Sequence, residues 1–155
     1  MSINITELCK PFLPLSVIAQ KAVQLKESEE GIFCAIEKIQ PIIIESIAQL
    51  KVDNQLLGQL ISFYQNGILN GIGSRNVSSH DEVYQLIHPL LLNKIPEIVH
   101  SISEECKIKK ESALALLSLI SDVCIGVLGK LITQNEMKTE DVEVILSQQK
   151  GFIKI

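Results

Sequence analysis

Tryptophan is missing from this chain, tyrosine occurs twice and phenylalanine four times in 155 residues. Binding to single-stranded nucleic acid relies on aromatic faces for base stacking and on a basic groove. With few aromatics and a net charge of −4, nucleic acid is not the expected partner. The densest basic group, Lys107, Lys109 and Lys110, is flanked by Glu104, Glu105 and Glu111 and reads as a solvated helix end. Histidine is scarce too: His80, His88 and His100 stand at no ligand or triad spacing from Cys, Asp or Glu. No catalytic residue, metal or cofactor is expected, and the chain does not read as an enzyme.

Cysteine is present four times, at Cys9, Cys34, Cys106 and Cys124, without any C-x-x-C spacing. Two of the four fall inside apolar helical patterns, and a chain of this length with an ample aliphatic core does not need staples. The expectation is small core thiols, no structural disulfide and a reducing, cytoplasmic location. Residues 1–7 carry no basic cluster, and Pro11 and Pro14 interrupt the short apolar stretch that follows, so no secretory signal is expected. No segment alternates apolar and polar residues long enough for a strand.

What the chain has in abundance is Ile, Leu and Val, each contributing roughly 1.5–3 kcal/mol when fully buried. The densest stretch is 112–132, SALALLSLISDVCIGVLGKLI, in which Asp122 is the only charge between Glu111 and Lys130. A helix here is apolar around most of its circumference and must be buried. Its remaining strip, Ala115, Ser118, Asp122, Gly126 and Gly129, is small or polar and lets another backbone come close. The run nearly reaches the ~20 residues of a membrane span, but a mid-span aspartate costs roughly 2.5–3.5 kcal/mol, and interfacial Trp and Tyr are missing. The reading is a buried core helix without membrane insertion.

In chain order, residues 6–9 suggest a turn of helix stopped by Pro11 and Pro14, and Ser16 is the expected cap of a helix with Val17, Ile18, Ala22 and Leu25 on its apolar face. Ser28, with Glu29 and Glu30, opens a stronger one. Ile32, Ile36, Ile39, Ile43, Ile47 and Leu50 form its stripe, Glu37 and Glu45 its wet side, and Pro41 predicts a kink or break near Lys38. Asp53 caps a helix that ends at Asn66 and Gly67. Residues 66–76, NGILNGIGSRN, read as a Gly/Asn-rich hinge joining sub-halves 15–66 and 77–150 of a single domain. They lack the Lys-Ser/Thr pair of a phosphate-binding loop. Ser79 and Glu82 make a capping box ahead of a helix carrying Val83, Leu86, Ile87, Leu90 and Leu91. Pro96 starts another, a loop is expected over 133–138, and Thr139, Glu140 and Asp141 open a last short helix. The fold class is all-α, about seven or eight helices in two similar halves around the buried apolar helix. A weak echo between 41–48 and 122–129 suggests the two halves.

Val127-Leu128-Gly129-Lys130 and Ile145-Leu146-Ser147-Gln148, after the serine- and alanine-rich start at 111–115, together with Ile39-Gln40-Pro41-Ile42-Ile43 earlier, resemble the paired motifs of the bacterial domain of unknown function 937 family, also called YidB-like. The resemblance spans most of 15–150 and departs at Asp122, where that family tends to carry proline. It implies a multihelical bacterial domain of unassigned activity, joined in some relatives to an OmpA-like envelope domain, and it carries over no catalytic residue.

Two functions fit these features. The first is a non-catalytic helical module that binds another protein or itself; the second is a carrier of a small apolar ligand, such as a lipid chain, between the halves. The surface expected to act is the one flanking the hinge, Ile68, Leu69 and Ile72. Asp122 is the one buried acid with a claim to function.

Overall fold

The computed structural model describes residues 3–70, 91 and 94–151. Among them the chain forms seven α-helices: α1 Ile5–Cys9, α2 Leu15–Leu25, α3 Glu29–Ala48, α4 Asn54–Gln65, α5 Ile95–Cys106, α6 Lys110–Asn135 and α7 Thr139–Gln148. Short 3-10 turns lie at Lys10–Phe12 and Gln149–Gly151, and no strand is present among the described residues. The all-α architecture around one apolar helix is the one expected from the sequence.

α6 has no wet face over its middle: every residue from Leu119 to Gly129 is buried. It is long and apolar enough to cross a membrane, yet 83% of its most apolar window is buried inside the fold. Its neighbours α1, α3, α4 and α5 supply that burial, drawing on both sides of the expected hinge, and their aliphatic side chains join one core. The polar groups inside α6 are handled locally where they can be. Ser121 Oγ donates to the Leu117 carbonyl at 2.8 Å, and Thr133 Oγ1 to the Gly129 carbonyl at 2.8 Å.

α3 is the second long core element. Ile32, Ile36, Ile39, Ile43 and Ile47 are buried while Glu37 and Glu45 are exposed, as their spacing predicts. The helix runs unbroken through Pro41, so of the kink or break expected near Lys38 the break is absent: a missing proline N–H removes a single helical bond, and the isoleucine stripe packed against α6 continues on both sides of it.

Local signals set several helix starts. Ser28 Oγ accepts from the Gly31 N–H at 3.0 Å and Asp53 Oδ1 from the Leu56 N–H at 2.8 Å. α7 begins with the Lys138 N–H donating to Asp141 Oδ2 at 3.0 Å. Ser16 does not cap α2. The Pro14 carbonyl accepts from the Val17 and Ile18 N–H groups, which places Ser16 inside the first turn. α6 is capped across the fold: Glu27 Oε2 accepts from the Lys109 N–H at 2.9 Å and from Ser112 Oγ at 2.6 Å, while Lys109 Nζ donates to the Leu25 carbonyl at 3.0 Å. The first and last described segments are stitched together. Gln149, 1% exposed, accepts from the Ile5 N–H and donates to the Ile3 and Ile145 carbonyls, and Gln148 accepts from the Ile3 N–H.

The cysteines correct the sequence reading. Cys34 on α3 and Cys106 at the end of α5 form a disulfide across 72 positions, with Cα atoms 5.6 Å apart. Whether a core of this size needs a staple says nothing about whether two thiols meet, and here α3 and α5 bring them together. The expectation of no structural disulfide therefore fails, and the cytoplasmic placement loses its main premise.

Two outcomes follow for stability. Glu27→Ala removes the shared acceptor at the start of α6 and should cost about 1–2 kcal/mol in urea unfolding; no change would show that water replaces it. Reduction of Cys34–Cys106, or the Cys34→Ala/Cys106→Ala pair, should lower the unfolding free energy by about 2–4 kcal/mol because the crosslink restricts the unfolded chain. Equal midpoints with and without reductant would contradict this.

Candidate functional site

The turn after α4 is built by Gly67, whose φ of +83° is the left-handed conformation glycine tolerates. The Ile68 N–H donates to the Phe63 carbonyl and the Asn70 N–H to the Gly67 carbonyl, which folds the chain back along α6. Ile68 becomes core at 1% exposure, and Leu69 is half-buried. Both lie on the small-residue strip: a Cβ added to Gly126 would stand 2.7 Å from Ile68 Cγ2 and 2.7 Å from Leu69 Cδ2. Asp122, 1% exposed, is one helical turn from Gly126 and shares its face. The structure thus brings Ile68 and Leu69 onto the strip that carries Asp122. Ile72 lies outside the described residues, as do most of the hinge, the 79–82 capping box, His80, His88 and the helix expected after them apart from Leu91.

This seat is filled. Ile68 occupies it with side-chain atoms at packing distance, so at Gly126 it is core rather than an open groove. Three clefts lie elsewhere on the described surface. One of about 300 Å³ runs between α3 and α5, lined by Ile42, Ile98 and Ile102 with Lys38, Glu97 and Glu105. One of about 230 Å³ lies between the N-terminal segment and α6, where Lys130 Nζ stands 5.3 Å from the centre of the Phe12 ring, a cation–π contact. The third, about 290 Å³, is formed by residues 13–15 with α3 and is lined by Leu13, Leu15, Ile18, Phe33 and Ile36, with Lys10 and Glu37 adding charge of both signs. Leu15 is 76% exposed and Phe33 50%, so two large apolar side chains converge there in water.

Lys21 escaped the sequence reading. Its side chain is fully buried on α2, and its Nζ donates to Gln24 Oε1 at 2.9 Å. The spacing Val17, Ile18, Lys21, Ala22, Leu25 puts it on the apolar stripe, a signal the lysine's charge obscured.

Glu105 and Cys124 have perturbed titrations. Lys38 Nζ lies 2.6 Å from Glu105 Oε2, and this hydrogen bond and charge hold the Glu105 carboxyl below the usual range. The Cys124 thiol is pushed well up, by its hydrogen bond with Cys9 and by burial. No cluster of three His, Cys, Asp or Glu side chains able to hold a metal exists among the described residues. His100 is exposed.

No protein family, curated protein or solved structure matches the chain.

Ile68→Ala should destabilise the fold by about 2–5 kcal/mol, the range for emptying a packed aliphatic site; a cost under about 1 kcal/mol in chemical denaturation would show that the turn is loosely seated. Asp122→Asn keeps size and an acceptor and should stay within about 1–2 kcal/mol of wild type, a larger loss indicating that the charge itself is used. Glu105 gains its low pKa in the folded state, so its pairing with Lys38 contributes above the unfolded pKa and is lost as pH falls through the folded one. Lys38→Met should return the Glu105 titration, followed by carboxyl NMR, upward toward its ordinary value; an unmoved titration would mean Lys38 is not the cause.

Proposed function

We propose that this chain is a non-catalytic helical interaction module whose docking surface is the apolar cleft between residues 13–15 and α3. The observation that carries the reading is the exposure of Leu15 and Phe33, which line the same cleft. Contiguous apolar surface in water is what partner helices cover. The sequence points to the hinge as the active surface, but Ile68 is already committed to the core, which leaves the α3 cleft as the better-supported one. The resemblance to YidB-like domains fits a bacterial module without assigned chemistry. The alternative, a small apolar ligand held between the halves, would use the cleft of about 300 Å³ between α3 and α5, which stands at the lower end of the ~300–1,000 Å³ typical of ligand pockets and carries Lys38, Glu97 and Glu105 beside its isoleucines. The disulfide favours a compartment that permits disulfides over the reducing one.

The double variant Leu15→Ser/Phe33→Ser tests the surface. Both side chains are exposed, so thermal stability should change by no more than about 1 kcal/mol, while self-association in sedimentation, or binding to a partner captured from the native cell, should weaken at least tenfold. Unchanged association, or a loss that merely follows unfolding, would remove this cleft from consideration.

A further inference from the structure

We infer that Cys9 and Cys124 are a second disulfide site, a staple between the N-terminal helix α1 and the central helix α6. Cys9 Sγ donates to Cys124 Sγ at 3.8 Å, and both side chains are fully buried. A disulfide holds its sulfurs at about 2.05 Å, so closure needs roughly 1.8 Å of further approach. The remaining two cysteines are already bonded to each other, so the four cysteines sort into two facing pairs. Conditions that sustain Cys34–Cys106 also favour oxidation of the second pair. The new bond would span 115 positions and fasten a five-residue helix whose other ties to the fold include the Gln148 and Gln149 hydrogen bonds.

The oxidant is a small-molecule disulfide. One cysteine, as thiolate, attacks it to give a mixed disulfide and one small thiolate; the second cysteine then attacks the cysteine sulfur, expelling the second small thiolate. The two protons leave the cysteines and end on the two small thiols, and two electrons pass to the reagent. Inside the folded protein the thiolate is scarce, because the shared hydrogen bond and burial favour the thiol form of Cys124. Closure is therefore slow once α1 is docked and belongs to folding, as a staple set while α1 settles onto α6.

The test is to unfold and refold the full chain in mixtures of oxidised and reduced glutathione, quench with acid, alkylate under denaturing conditions and map the peptides without reduction. The expected result is a Cys9–Cys124 crosslinked peptide beside Cys34–Cys106, with slower hydrogen exchange over α1 than in Cys9→Ser refolded the same way. The inference is overturned if Cys9 and Cys124 are recovered alkylated, whatever the state of the other pair, or as glutathione adducts, or joined to Cys34 or Cys106. A crosslink that leaves α1 exchange unchanged would overturn its role as a staple.

Discussion

At Gly126 and Gly129 the central helix offers bare backbone, and α4 with the turn behind it lies directly against it. A Cβ on Gly129 would collide with the Leu60 carbonyl oxygen and stand 3.0 Å from Tyr64 Cβ, while one on Gly126 would strike Ile68 and Leu69. This approach is closer than side chain against side chain allows, and it fixes where α4 sits along α6. With that side taken, the remaining apolar circumference of α6 is left for α1, α3 and α5. A helix apolar on nearly all sides has to be covered by such neighbours. Fully buried aliphatic residues at about 1.5–3 kcal/mol each supply the driving force, and the glycine face sets the register.

Around this axis the remaining interactions are fasteners. Glu27 joins the α2–α3 connection to the first turn of α6, the disulfide joins α3 to the end of α5, and the terminal glutamines hold the N-terminal segment. Each ties positions far apart in the chain. They restrict the unfolded chain or satisfy stranded polar groups.

That distinction explains what the sequence could disclose. The isoleucine stripe of α3, the small strip of α6 and the caps Ser28 and Asp53 were legible because spacing and local chemistry determine them. The ends of α6 were not. Its true start, Lys110, depends on Glu27 from elsewhere in the chain, and its true end, Asn135, is closed by Glu136 at φ +49° where glycine would have been the recognisable stop. Lys26 and Lys107 end α2 and α5 in the same left-handed conformation. Buried Lys21 and the Cys34–Cys106 bond were missed for a related reason: a charge on an apolar stripe and a pairing across 72 positions are tertiary facts. Of the expected site residues, Ile68 and Leu69 lie against the face of α6 that carries Asp122; that this strip would admit a close neighbour was visible from its small residues. That the turn would fill this strip was not, since only the seated geometry shows it.

The most direct measurement of the account is the sign of the stability change for glycine to alanine at two helical positions. Alanine is favoured over glycine by about 1 kcal/mol inside a helix, and at Gly58 on α4 nothing lies within 4 Å of the place an added Cβ would take, so Gly58→Ala should stabilise by up to that amount. Gly129→Ala should do the reverse and destabilise by about 1–3 kcal/mol or more, because the methyl group meets the backbone of α4. If Gly129→Ala instead stabilises the protein as Gly58→Ala does, α4 does not rest on the bare face of α6 and the packing account is wrong.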